Sequence, residues 1–297
     1  MIPTLKHYLM LTKPSIMLLV LITGTAGMVM QGDLLEQPVR FMLVLVGLFC
    51  TGGSANAFNQ FFERDIDAQM ARTKKRRPLP QGAISPRGAF LFASGIGIAG
   101  CLLFFFLFNA LSALLALGTI LFYGLFYTLY LKPNTAQNIV IGGAAGAMGP
   151  VIAWAAAAGN LASKDGTMAF EPWLLFLVVF LWTPPHFWAL ALYLKADYEK
   201  VKLPMMPVVK GDVFTLKQMW WYTLATVAIS LSILFYDSAG VIYGAVAIYL
   251  GWKFIRKALQ AMREQTRQAE FGLFKFSIVY LLVLFGSLIV DGLRLKA

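Results

Sequence analysis

The stretch FMLVLVGLFCTGGSANAFNQFFERDID, residues 41–67, decides how the rest of the chain is read. Residues 41–62 carry no charged side chain, and a dense acidic and basic run begins at once after them. An α-helix of that length reaches about 33 Å, enough to cross a hydrocarbon core of ~30 Å. The block lacks the strict apolar–polar alternation of a barrel strand, so a helix is the remaining way to pair its backbone groups inside lipid.

Working outward, the same kind of block recurs along the chain. Nine spans are expected, at 15–30, 41–62, 89–108, 111–131, 138–158, 173–194, 218–236, 240–255 and 274–290. Composition agrees. The chain of 297 residues is 59% hydrophobic and 13% charged, against about 25% charged in a soluble domain. A net charge of +11 on a soluble protein would suggest nucleic acid. On a membrane chain it follows from the excess of Lys and Arg in cytoplasmic loops, and no nucleic-acid partner is expected. With nine spans, 21 of the 25 Lys and Arg residues fall on one side, and only Arg40, Lys164, Arg294 and Lys296 on the other. A wrong span number would scramble that asymmetry. The N-terminus is therefore expected in the cytoplasm and the C-terminus outside. The first apolar run, 15–30, has no clear cleavage site after it and is read as an uncleaved helix. Cys50 and Cys101 both lie in apolar blocks, which excludes a disulfide framework. The expected architecture is all-α: one polytopic transmembrane domain, residues 1–297, with nine helices around a central cavity. Two cytoplasmic loops, 60–88 and 195–217, hold six of the 14 acids at equivalent places after spans two and six, as a duplicated helical unit would.

Three constellations carry chemistry. Asn59, Glu63 and Asp67 are spaced by four, so on a helix they share one face. Two carboxylates and an amide oxygen form a hard oxygen site suited to Mg²⁺, which keeps waters and recruits substrate phosphates. Next, Arg72, Lys74, Arg76 and Arg77 follow within ten residues of Asp67. Acids followed by bases suit a cation that arrives with a polyanion, as a metal diphosphate does. Lys74 and Lys75 also read as a membrane-surface anchor facing anionic lipid. Third, Trp182-Thr183-Pro184-Pro185-His186-Phe187-Trp188 places two prolines within span six, which should break or kink it beside a cavity. His186 reads either as a haem ligand or as a hydrogen-bonding partner in the kink. The run Gly142–Ala147 reads as tight helix packing.

The Asn59-xxx-Glu63-xxx-Asp67 spacing, followed by Arg72 and Arg76-Arg77-Pro78-Leu79, resembles the first signature of the UbiA superfamily of intramembrane prenyltransferases. The second acidic loop stands where that superfamily has its second signature, so the resemblance covers essentially the whole chain. Glu63 in place of the usual Asp, the Trp182–Trp188 segment, and Ala196-Asp197-Tyr198 running to Leu203-Pro204-Met205-Met206-Pro207-Val208 resemble the haem-farnesylating branch. Asp197 is followed by Lys200 and Lys202 rather than by a second Asp, a departure that points to lysine contact with diphosphate. The resemblance implies Mg²⁺ held near Asn59, Glu63, Asp67 and Asp197. It implies a farnesyl diphosphate bound through Arg72, Lys74, Arg76, Arg77, Lys200 and Lys202, and a haem b acceptor near His186, Trp182 and Tyr193. It further implies haem O as product, residence in the inner (plasma) membrane, and a haem A synthase or terminal oxidase assembly as downstream partner. A quinone-precursor or lipid acceptor is the alternative within the fold, and a secondary transporter the alternative outside it.

Overall fold

A computed structural model of the chain describes residues 4–162 and 166–296. Lys164, counted above on the outer side, lies outside the described residues. Among these residues there are nine long helical rods and no β-strand, one bridged pair, Ala162 and Met168, aside. The rods are α1 (Pro14–Gln31), α2 (Pro38–Phe62), α3 (Pro86–Leu107), α4 (Ala110–Asn134), α5 (Asn138–Ala158), α6 (Glu171–Tyr193), α7 (Asp212–Phe235), α8 (Val241–Glu264) and α9 (Arg267–Lys296). Eight of them are long and apolar enough to cross a membrane. The exception is α8. Its 24 residues are long enough, but Lys253, Arg256, Lys257 and Arg263 crowd its second half. The bases between the expected spans at 240–255 and 274–290, Arg256, Lys257, Arg263 and Arg267, thus stand on helices. Exposed apolar side chains such as Phe106, Leu114 and Ile248 have lipid rather than water as their natural solvent.

Local chemistry sets the helix ends. Proline opens α1, α2, α3 and α6 in the first two positions, where its missing N–H has no intrahelical partner to lose. Between α3 and α4, Asn109 caps the second helix, its Oδ1 accepting from Ser112 N at 2.8 Å. Its Nδ2 donates to Ala155 O on α5, also at 2.8 Å. One side chain therefore closes the hairpin and ties it to a third helix.

Two helices depart from expectation. Over Phe122–Leu131, α4 widens to a π-helix, a form that is usually brief and often marks a functional site. The expected break in α6 does not occur: the helix runs without interruption through Pro184 and Pro185. Both prolines are buried, and the surrounding helices hold the backbone in place where an isolated helix would yield.

In the bundle, α1 packs on α2, α5 and α9, while α6 packs on α5, α7 and α9. The enclosed core of the bundle therefore runs through α1, α5 and α6. Between them opens a mostly apolar cavity of about 200 Å³, lined from α1, α2, α4, α5, α6 and α9. The Gly142–Gly143 pair is part of its wall. A Cβ on Gly142 would meet the Tyr127 ring at 2.3 Å, and one on Gly143 would meet the Thr183 side chain at 2.9 Å. Close helix approach is thus what the glycines allow.

Replacing Asn109 by Ala removes a cap and an interhelix bond together. The expected loss is about 1–2 kcal/mol, read as a lowered melting temperature in detergent. Asn109→Asp should restore the cap and recover part of it. An unchanged melting temperature in Asn109→Ala would contradict this role.

Candidate active site

α2 ends at Phe62, Glu63 is its C-cap, and a short helix, Arg64–Gln69, follows. The hydrogen-bond ladder nevertheless continues across the junction, with Glu63 N donating to Asn59 O at 3.0 Å and Asp67 N to Glu63 O at 2.8 Å. The spacing by four therefore holds all three side chains on one face. All three are buried.

Their partners come from three other parts of the chain. Asn59 donates through Nδ2 to Glu63 Oε1 at 2.8 Å and to Thr128 Oγ1 at 3.1 Å. Its Oδ1 accepts from Lys13 Nζ at 2.8 Å. Lys132 Nζ lies 2.5 Å from Glu63 Oε1, and Arg77 Nη1 lies 3.3 Å from Glu63 Oε2 while also pairing with Asp67. Two carboxylates thus face three cations. Buried carboxylates demand partners, and here three basic side chains gather around two carboxylates, with Lys13 held by Asn59.

The electrostatics follow. Burial by itself would raise the Glu63 pKa, but Lys132, Arg77 and Lys13 together hold it at about 2. Burial raises the Asp67 pKa, with Arg77 opposing. Lys13 is pushed down to about 7 by burial first and by the Arg77 charge second. Its backbone is left-handed, with φ of 52°. That is uncommon for a residue with a side chain, and such strain is kept where the surrounding structure enforces it.

Of the residues picked from sequence, the structure joins Asn59, Glu63, Asp67 and Arg77. Arg72, Lys74 and Arg76 are exposed. Lys74 and Lys75 line an open surface groove together with Lys200, so the two loops meet there. Lys202 is exposed with φ of 53°. Asp197, on the short helix Lys195–Lys200, is half-buried and makes no ion pair among the described residues. Its neighbour Tyr198 is the nearer link, within electrostatic reach of Lys132 and Tyr127. Trp182 and His186 line the apolar cavity. Tyr193 does not: its ring stacks on Phe271 at 4.8 Å, with the Arg267 guanidinium 5.4 Å above it.

Sequence reasoning missed Lys13, Lys132, Thr128 and the stacked pair Tyr123–Tyr127, whose rings lie 5.0 Å apart. The two tyrosines join the cluster to the cavity, since both line it and Lys13 Nζ sits 5.9 Å from the Tyr123 centroid. The one available signal was Lys132, a lone base at the end of an otherwise uncharged helix.

Among the described residues no group of three or more His, Cys, Asp or Glu side chains stands ready to hold a metal. The Glu63–Asp67 pair with the Asn59 amide fits a hard divalent ion of the kind that takes only one or two protein carboxylates and completes its shell with substrate oxygens and water.

The model of the UbiA prenyltransferase family matches residues 20–282. The chain belongs to the UbiA prenyltransferase family. It is a multi-pass membrane prenyltransferase. It is 43% identical to the protoheme IX farnesyltransferase of Rippkaea orientalis, over 98% of this chain and 88% of that one. It is also 43% identical to the protoheme IX farnesyltransferase of Synechocystis, over 97% and 89% respectively. Its fold is that of a digeranylgeranylglyceryl phosphate synthase, with a TM-score of 0.77 at 20% identity over 98% of this chain and 99% of that one. The fold also matches a UbiA homologue from Archaeoglobus fulgidus bound to DMAPP and Mg²⁺, with a TM-score of 0.63 at 16% identity over 95% and 99%.

The prenyltransferase should depend on the Glu63–Lys132 pair for folding as well as for chemistry. Lys132→Met leaves a buried carboxylate short of one partner and should cost about 3–5 kcal/mol. Calorimetry in detergent would register this as a clear fall in melting temperature, and Lys132→Arg should recover part of it. A Lys132→Met protein as stable as the parent would show that Arg77 alone satisfies Glu63.

Proposed function

We propose that the chain transfers the farnesyl group of farnesyl diphosphate to a vinyl group of haem b, producing haem O. The observation that carries this reading is the junction of two environments. A buried, net-positive cluster of Asn59, Glu63, Asp67, Lys13, Lys132 and Arg77 stands beside an apolar cavity lined by Tyr123, Tyr127, Trp182 and His186. A prenyl diphosphate has the same two halves. The names carried by the full-length relatives support farnesyl and protohaem as the donor and acceptor.

The diphosphate sits at the cluster, because so strongly charged a group cannot rest unpaired in hydrocarbon. Arg77 and Lys132 turn from the carboxylates, and Lys13 from Asn59, to its oxygens. Glu63, Asp67 and the Asn59 oxygen would then be free to hold Mg²⁺, which would supply Lewis-acid stabilisation of charge growing on the leaving diphosphate. Asp197 would join the Mg²⁺ site from the second loop, Lys200 and Lys202 close over the diphosphate, and Lys74 with the exposed Arg72 and Arg76 attracts the diphosphate head at the membrane surface. As the C–O bond breaks, the diphosphate leaves with the bonding electron pair and the farnesyl carbon becomes an allylic cation. The vinyl π-electrons of haem b bond to that carbon. Water adds to the new cation and loses a proton, giving the hydroxyethylfarnesyl group. The protein supplies fixed charges aimed at the leaving group and an apolar wall that keeps water from the first cation.

On this reading, residues 1–297 act as one transmembrane domain in the cell's inner membrane, and the loops 60–88 and 195–217 face the cytoplasm. Both substrates are largely apolar and enter from the bilayer. The product passes to a haem A synthase or a terminal oxidase. A transporter reading is less favoured because the ions gather at one end of the helices rather than at their middle.

Purified protein given haem b, farnesyl diphosphate and Mg²⁺ should increase the mass of the haem by one hydroxyfarnesyl addition, and excess chelator should stop the reaction. Glu63→Gln and Asp67→Asn should abolish transfer. Arg77→Ala should raise the KM for farnesyl diphosphate at least tenfold, well beyond the effect of Arg72→Ala. Unmodified haem alongside prenylation of a quinone precursor or lipid would replace the acceptor. Full turnover in chelator would overturn the role of the metal.

A further inference from the structure

His186 is held in an unusually complete setting for a lone histidine in an apolar cavity. Its ring is sandwiched between Trp182, with centroids 4.2 Å apart and planes at 16°, and Phe274, at 4.8 Å and 26°. Phe187 meets it edge-on at 4.9 Å. Its Nδ1 lies 2.7 Å from Ser277 Oγ on α9. That same Oγ donates to Phe274 O at 2.7 Å. A carbonyl can only accept, so both contacts are hydrogen bonds together only when the hydroxyl hydrogen points to Phe274 O and Nδ1–H donates to Ser277 Oγ. In neutral imidazole the other nitrogen is then a bare acceptor. Both ring faces are covered and Nδ1 is taken, and His186 also lines the apolar cavity. Nε2 makes no hydrogen bond among the described residues. Ser277 fixes Trp182 as well, since Trp182 Nε1 donates to Ser277 O at 2.8 Å.

We propose that Ser277 is a positioning residue that locks His186 as the Nδ1–H tautomer, so that Nε2 coordinates the central iron of the metalloporphyrin acceptor. The inference rests on the haem reading of the cavity and deepens it. A metal-binding histidine characteristically donates its second nitrogen to an oxygen that fixes tautomer and orientation, and the Ser277 contact is of that kind. The lone pair on Nε2 forms one dative bond to iron, with no proton or electron to be supplied. Such a bond holds the macrocycle by its centre and leaves its rim, where the vinyl groups are, free to face the farnesyl carbon. It also distinguishes an iron porphyrin from a metal-free one, which apolar packing alone does not.

The test uses the full chain in detergent, titrated with ferric haem b and separately with metal-free protoporphyrin IX. The wild type should give the Soret shift and electron paramagnetic resonance of an imidazole-ligated ferric haem. His186→Ala should lose that signature and recover it when free imidazole is added. Ser277→Ala should weaken haem binding by about tenfold or more, as loss of an orienting partner does, while Ser277→Thr keeps it. Metal-free protoporphyrin should bind the wild type and all variants alike, which also reports that each variant is folded. The proposal fails if the signature survives in His186→Ala, or if haem and metal-free porphyrin lose affinity together. Farnesyl transfer measured on the same samples separates the two readings. Transfer to haem b without a His186-dependent signature overturns the iron ligand and leaves the reaction standing. The signature without transfer does the reverse, and a wild type that binds no haem overturns both.

Discussion

Two carboxylates at the end of a membrane helix impose a debt that the rest of the polypeptide has to meet. Glu63 and Asp67 are buried, and a buried ionised carboxylate is tolerated only when paired. The chain meets the need from distant points: Lys13 just before α1, Arg77 after a short helical turn, and Lys132 at the far end of α4. Those contacts tie α1, α2, α4 and the first loop together at one end of the bundle. The π-helical stretch of α4 belongs to the same junction, since its Thr128 accepts from Asn59. Fold and site therefore share one ionic knot.

That knot also explains how an apolar protein can receive a strongly charged substrate. In the free chain the cations and carboxylates satisfy one another. On the proposed reading, a diphosphate arriving with a divalent ion would offer each set a new partner, so that no buried charge need be left unpaired. The adjoining tyrosines, Tyr123 and Tyr127, mark where the polar end gives way to the apolar cavity. Charge at one end and hydrocarbon at the other match the two halves of the prenyl diphosphate in the proposed reaction.

Much of this was legible in the residues. Apolar block length and the one-sided distribution of Lys and Arg give the helical architecture, because lipid leaves few alternatives. The spacing of Asn59, Glu63 and Asp67 gives the shared face, because four residues is nearly one helical turn. Contacts across the bundle were not legible. Lys13 reads as an ordinary positive-inside charge, and only the tertiary fold brings it to a residue 46 positions away. Arg76 and Arg77 are equivalent in sequence, yet one is exposed and the other paired, a matter of which way the turn faces. Pro184 and Pro185 announce a break that the packing of α6 against its neighbours suppresses. Tyr193 lies at the end of the right helix but stacks outward on Phe271. The span expected at 240–255 is present as α8, which runs on to Glu264 through a second half rich in Lys and Arg.

The central claim is that divalent ion and diphosphate exchange into one shared ionic cluster and therefore help each other bind. Calorimetric titration of the full chain with inorganic pyrophosphate, with and without Mg²⁺, tests it most directly. Coupling between ligands is reciprocal, so the account predicts that Mg²⁺ tightens pyrophosphate at least tenfold, that pyrophosphate tightens Mg²⁺ equally, and that both effects vanish in Glu63→Gln. Equal pyrophosphate affinity with and without Mg²⁺, or a coupling that survives Glu63→Gln, would contradict it.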